Sequence, residues 1–184
     1  DQPVVYFPKV SADYKRVVYL FSDVLMAAGS NVFGMKTFSL EKPQDPPTTI
    51  IEVVKKETEG ADFFGIMGMN YGLNSFGWLG LNRVVFTTYV KQTNELFEVD
   101  VDTKVLTRIT KKLYLDCESQ SIVGVLDDKH FIVKCDTIVS NNNLFIMRKT
   151  ESGYDQVFLH KPVEECSKYF EETIIVDGIE SCFY

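Results

Sequence analysis

Ile122-Val123-Gly124-Val125-Leu126-Asp127-Asp128-Lys129-His130-Phe131-Ile132-Val133 is two short β-branched runs joined by a polar turn, the pattern of a strand hairpin. Two other stretches repeat it. Phe7-Pro8-Lys9-Val10-Ser11-Ala12-Asp13-Tyr14-Lys15-Arg16-Val17-Val18-Tyr19 and Ser75-Phe76-Gly77-Trp78-Leu79-Gly80-Leu81-Asn82-Arg83-Val84-Val85-Phe86 each set a tight turn ahead of a Val-Val-aromatic strand. A unit that returns at intervals of roughly 45 to 70 residues reads as the blade of a β-propeller. Propellers close with about four to eight four-stranded blades, so about three blades make an all-β, incomplete propeller.

Working outward, strand-type runs dominate. Val17 to Phe21, Arg83 to Tyr89, Glu95 to Val99, Val105 to Ile109, Ile122 to Leu126, Phe131 to Lys134 and Leu144 to Arg148 are β-branched or aromatic and bounded by polar turns. Leu96-Phe97-Glu98-Val99-Asp100 is expected to hairpin through Asp102-Thr103-Lys104 into Leu106-Thr107-Arg108-Ile109-Thr110 as the outer pair of one blade. Each unit reads as strand, turn, strand, longer loop, strand, turn, strand. Within a propeller region over 1–162, the blades fall at approximately 8–55, 72–110 and 115–160. In the first, the third strand lies near Val32 to Leu40 and the fourth near Thr48 to Val54. Thr58 to Gly72 carries Gly60, Gly65, Gly68 and Gly72, too many glycines for a stable helix, and reads as a loop. Asn141-Asn142-Asn143 reads as a turn. Past Pro162 the character changes: Val163 to Glu172 is charged and suits a short helical turn. Thr173 to Val176 and Ser181 to Tyr184 read as strands around Asp177-Gly178, and 163–184 reads as a connector.

The chain has 184 residues, 45% of them hydrophobic and 13% aromatic, with a formal net charge of -7. That composition supports a buried core and excludes global disorder, while an acidic balance without a basic stripe excludes phosphate-backbone binding to nucleic acid. No apolar run approaches the roughly 18 residues of a membrane span. Cys117, Cys135, Cys166 and Cys182 form no C-x-x-C pair, and such scattered thiols are expected as buried small hydrophobes in a reducing compartment. Cytoplasmic residence is the corresponding expectation.

No catalytic centre emerges. Ser75, in Gly72-Leu73-Asn74-Ser75-Phe76-Gly77, has the wrong glycine spacing for a nucleophile elbow, and Trp78-Leu79-Gly80 does not begin the helix an elbow feeds. His130 and His160 lack a second ligand at zinc spacing. Asp100-Val101-Asp102-Thr103 resembles an aspartate phosphotransfer motif, but Lys104 stands where Thr or Val is needed, and a turn accounts for it. Gly65, Gly68 and Gly72 do not make a nucleotide fingerprint. Glu164-Glu165 and Glu171-Glu172 lie in a charged stretch with nothing apolar to raise a carboxyl pKa. Trp78, the single tryptophan, takes the innermost-strand position of the second unit as a core residue. Catalytic, metal-ligating and cofactor-binding residues are therefore all expected to be none.

The run from Phe7-Pro8-Lys9-Val10-Ser11-Ala12-Asp13 through Arg16-Val17-Val18-Tyr19-Leu20 resembles a blade of the acylaminoacyl-peptidases, or acylpeptide hydrolases, of the prolyl oligopeptidase group. Phe63-Phe64-Gly65-Ile66, Trp78 and Arg83-Val84-Val85-Phe86 are similar to their next blade, and Glu95-Leu96-Phe97-Glu98-Val99-Asp100 with Val105-Leu106-Thr107-Arg108-Ile109-Thr110 is similar to a hairpin after it. The ordered series covers about Pro8 to Val133. Ala12 replaces the usual Pro, and Tyr14 the usual turn Gly or Gln. The resemblance implies a serine peptidase that releases N-acylated residues, its propeller restricting entry to short N-acylated peptides. Residues 174–184 would correspond to the passage toward an α/β-hydrolase domain that is absent here, so no triad residue carries over. The implied role is a non-catalytic gating segment partnered by its own hydrolase domain. The alternative is a stand-alone β-rich protein-interaction module. An unclosed array with exposed strand edges is also expected to form homo-oligomers.

Overall fold

The computed structural model describes residues 4–22, 32–53, 66, 76–90, 93–109, 117, 119–136, 143–160, 172–176 and 179–183. Sheet 1 contains β1 (Val4–Val10), β2 (Arg16–Ser22), β3 (Gly34–Ser39) and β4 (Thr48–Ile51). Sheet 2 contains β5 (Phe76–Leu79), β6 (Arg83–Val90), β7 (Thr93–Asp100) and β8 (Leu106–Arg108). Sheet 3 contains β9 (Ser119–Val125), β10 (His130–Asp136), β11 (Asn143–Lys149) and β12 (Tyr154–His160). In each four-stranded sheet, neighbours in sequence are neighbours in space and run antiparallel, so each is the four-stranded meander of a blade. A separate hairpin pairs β13 (Glu172–Val176) with β14 (Ile179–Phe183). The described residues include no helix.

The expected outer hairpin of sheet 2 forms with Phe97 opposite Arg108 and Val99 opposite Leu106. One regularity fails. Only two residues separate β6 from β7, so the longer loop expected between second and third strands is missing in that sheet. Pro8, which has no amide proton for a ladder, sits in edge strand β1, where the register shifts between Tyr6 and Lys9. Of the Thr58–Gly72 stretch only Ile66 is described: its amide donates to the Phe33 carbonyl and its carbonyl accepts from the Phe33 amide. Asn143 opens β11, whereas Asn141, Asn142 and, of the charged stretch expected as a helical turn, residues 163–171 lie outside the described residues, its last residue Glu172 being the start of β13.

Two apolar clusters join the sheets, and period-two alternation decides which residue enters which. From β6, Val84 and Phe86 enter the cluster shared with Val18, Leu20 and Met35 of sheet 1, while Val85 turns the other way. Val85 and Leu96 meet Phe131, Val133, Phe145 and Met147 of sheet 3. Sheet 2 is thus covered on both faces, which is why Val84-Val85-Phe86 reads as an unbroken apolar run. Each such side chain contributes about 1.5–3 kcal/mol by leaving water.

Polar bonds tie the same seams. Between sheets 1 and 2, the Trp78 indole donates to the Lys9 carbonyl at 2.9 Å, and the Arg16 guanidinium meets Asp102 at 2.7 Å. Between sheets 2 and 3, the Ile122 amide donates to Thr87 Oγ1 at 3.0 Å and Asn94 Nδ2 to Ser119 Oγ at 3.0 Å. Glu98, 6% exposed, sits on the sheet 3 face of β7. Its carboxylate accepts from Lys149 Nζ at 3.0 Å and from the Tyr154 hydroxyl, with Arg83 Nε 3.5 Å away. Burial, then the Glu98 carboxylate, pushes the Tyr154 phenol far above its ordinary value.

The expectation of separate thiols needs correction at two positions. Cys117 and Cys135 are joined by a disulfide, their Cα atoms 5.5 Å apart and 18 residues apart in sequence. The β9–β10 hairpin pairs Asp136 with Ser119 and Cys135 with Gln120, so Cys117, two residues ahead of β9, enters beside the end of β10 and turns back off the ladder to reach Cys135. Cysteine spacing in the chain does not reveal a partner that hairpin pairing supplies.

Candidate functional site

The first strands of the three sheets, β1, β5 and β9, lie side by side, β5 in contact with both of the others. Where they reach their turns, they enclose a depression of about 590 Å³. Phe76, Gly77 and Trp78 of β5 form its floor, Lys9 and Val10 one wall, and the run from Gly124 to Asp128 the opposite wall. A Cβ on Gly77 would lie 2.8 Å from Val125 Cγ2, so glycine here lets β9 approach β5. Gly80 has a φ of 72°, the left-handed backbone that the β5–β6 turn requires.

Turn chemistry sets the charges around it. After β1, the Ser11 hydroxyl donates to Asp13 Oδ1 at 2.6 Å and the Lys15 amide donates to the same oxygen at 3.1 Å. The Ser11 hydrogen bond, then the Lys15 amide, hold the Asp13 carboxyl below its ordinary value. After β9, Asp127 Oδ1 accepts from the amides of Lys129 at 2.7 Å and His130 at 2.8 Å, and the His130 imidazole Nδ1 lies 2.9 Å from Oδ2. The Lys129 amide is the chief cause of its lowered pKa. Across the depression, burial pulls the Lys9 amine below its usual value, and the ammonium sits 5.1 Å from the centre of the Phe76 ring. The site is therefore aromatic at its base, cationic on one wall and anionic on the other. Val10, Leu81 and Leu126, each about half exposed, form an apolar rim.

The residues weighed for chemistry do not converge on this place. Ser75, the glycines at 65, 68 and 72, and the glutamates at 164, 165 and 171 lie outside the described residues, and Glu172 opens β13 opposite Phe183. His160 ends β12 opposite Leu144 of β11, while His130 starts β10 opposite Arg148 at the other end of β11, so the two histidines lie at opposite ends of the sheet. Asp100 is a turn cap: one carboxylate oxygen accepts from the Asp102 amide at 3.1 Å, the Thr103 amide at 2.8 Å and the Thr103 hydroxyl at 3.0 Å. Trp78 is buried at 8% exposure, as expected of a core residue, and its edge also faces the depression. Among the described residues, no group of three His, Cys, Asp or Glu side chains is placed to hold a metal ion. Lys9, Leu126 and Asp128 were not singled out by sequence. The signal available was positional, since each sits at or just past the end of a first strand.

No protein-family model matches the chain, and no curated protein matches it as a relative. Solved structures do. TolB from Acinetobacter baumannii is 13% identical with a TM-score of 0.50, over 84% of this chain and 32% of that one. A puromycin hydrolase mutant complexed with PGG is 12% identical with a TM-score of 0.37, over 97% of this chain and 33% of that one. The chain spans about a third of each of these structures. The likeness to TolB, at this identity, is one of fold: three antiparallel four-stranded blades in propeller-like sequence.

Proposed function

We propose that the chain is a non-catalytic propeller segment whose inner strands admit short N-acylated peptides toward an α/β-hydrolase domain, as in the acylaminoacyl-peptidases its blade motifs resemble. The observation that carries the reading is the depression where β1, β5 and β9 meet. Its size suits a few residues of an extended peptide. An aromatic base between Lys9 and Asp128 offers apolar contact for a blocked N-terminus and charge contact for a peptide's carboxylate and basic side chains. Selectivity in this reading follows from the width and charge of the entrance, and bond cleavage belongs to the hydrolase domain.

Trp78 is the only tryptophan and faces the depression, so its fluorescence reports occupancy directly. Titration with an N-acetylated tripeptide is expected to shift the emission, and Leu126→Asp to weaken the response about tenfold or more. The chain alone is expected not to hydrolyse an acetylated amino-acid reporter. An unchanged Trp78 emission up to millimolar peptide removes the gating reading. A reporter turned over by the chain alone refutes the non-catalytic assignment.

A second reading, a stand-alone interaction module, is favoured by the half-exposed apolar rim of Val10, Leu81 and Leu126 beside edge strand β1. Under it, binding depends on strand pairing rather than on acylation, so blocked and free peptides bind Trp78's surroundings alike.

A further inference from the structure

We infer that the Cys117–Cys135 disulfide is a structural staple made during folding in an oxidising compartment, and that it fastens the crossover from sheet 2 to sheet 3 onto the core between those sheets. The bond joins the residue two positions ahead of β9 to β10, the second strand of the same sheet. Cys135 is 1% exposed and sits in the cluster with Leu79, Val85, Leu96, Ile109 and Phe131, against which Cys117 also packs. Three of those residues, Leu79, Val85 and Leu96, belong to sheet 2. The staple therefore lies on the seam, where the chain leaves one blade and commits to the register of the next.

Burial gives the bond its character. Cys135 is closed to a thiolate from solvent, and only the partly buried Cys117 sulfur is left for attack, so glutathione-type exchange on the folded chain is slow, as suits a staple and not a switch. Burial of Cys135 favours its forming before the seam closes. In that step the two thiols lose two protons and two electrons to an external disulfide, that of a thiol-disulfide oxidoreductase, which is reduced to its dithiol as the Cys117–Cys135 bond forms. Compartments that supply such an oxidant during folding are secretory or periplasmic in kind. An oxidising compartment, in place of the cytoplasm expected from cysteine spacing, is what the bond requires.

The test uses the full chain. Source cells are quenched in acid, and the protein is unfolded with a maleimide before any reductant is added and then mapped by mass spectrometry. The expected result is a linked peptide pair containing Cys117 and Cys135, neither carrying maleimide. Both residues fully labelled overturns the compartment. Melting then tests the staple: Cys117→Ser with Cys135→Ser is expected to lower Tm by about 6–12 °C. If that variant does not fold, the wild-type chain is melted with and without a phosphine reductant that is present from the unfolded state onward. Equal melting temperatures in either comparison overturn the structural role. Rapid loss of the bond in the native chain under mild glutathione would show a switch and likewise overturn it.

Discussion

Tyr14 is a residue in the wrong chemical class for its backbone. It is 79% exposed, so burial returns nothing, yet its φ is 59°, in the left-handed region that disfavours a side chain with a Cβ. The β1–β2 turn imposes that angle: the Tyr14 amide donates to the Ser11 carbonyl at 3.0 Å, and the Ser11 amide then meets the Arg16 carbonyl at 2.9 Å. The family resemblance marked the position as one where a turn Gly or Gln is usual, and the dihedral explains the glycine. Tyr14→Gly is expected to raise stability by about 1 kcal/mol, or about 2–4 °C in Tm. Tyr14→Val, which adds branching at the same angle, is expected to lower it. Thermal melts of the two variants against wild type check both signs. Glu98 was not legible in the same way. In Leu96-Phe97-Glu98-Val99 it reads as the outward member of a half-buried strand, and only the packing of sheet 3 against that face turns it into a buried carboxylate. Glu98→Gln leaves Lys149 and Tyr154 facing a weaker acceptor and is expected to cost about 1–3 kcal/mol. Adding Lys149→Met is expected to recover part of that loss, a coupling that a double-mutant cycle by denaturant unfolding measures.

At the scale of the element, aspartates hold the turns. Asp13, Asp100 and Asp127 each accept backbone amides within their own turns, and each carboxyl lies below its ordinary value. For Asp100 burial works the other way, and the Thr103 amide and hydroxyl and the Asp102 amide overcome it. The unfolded chain therefore takes up protons near pH 4, before the folded chain does. The stability these groups supply is complete above that range and is lost as pH falls through the lower folded values. Tm measured from pH 6 down to pH 2.5 is expected to be flat at first and to fall below about pH 4. Asp127→Asn is expected to lower the plateau and shallow the descent, whereas an unchanged slope would remove its turn from the account. Elements of this kind were readable because turn and strand signals are local: Asp127-Asp128-Lys129 and Asp100 to Lys104 announce turns without reference to anything distant. The disulfide, the glycine at position 77 and the depression were not readable, because each depends on which strands become neighbours. Cys117 meets Cys135 because the chain ahead of β9 enters beside the end of β10, and Gly77 meets Val125 through sheet 2 against sheet 3.

For the whole molecule, stacking order fixes what remains exposed. Sheet 2 spends both faces, one on each apolar cluster, while β10 alternates strictly, with Phe131, Val133 and Cys135 buried toward sheet 2 and Ile132 and Lys134 on the opposite side. On that opposite face Ile132 pairs with Ile146 and Lys134 with Leu144. All four are only partly buried, and Val123, next to them on β9, is 42% exposed. The face also carries the Lys134–Asp136 ion pair, so it is an apolar patch of Ile132, Leu144, Ile146 and Val123 set among charges, and an apolar patch open to water favours association. At micromolar concentrations the average mass from light scattering is expected to exceed 21.0 kDa and to rise with concentration. Ile146→Lys combined with Val123→Lys leaves the two buried clusters untouched, so it is expected to return the chain to monomer with little change in melting temperature. A wild-type chain that stays monomeric through the same range would mean that this face is not adhesive, and the incomplete propeller would then have to be self-sufficient in solution.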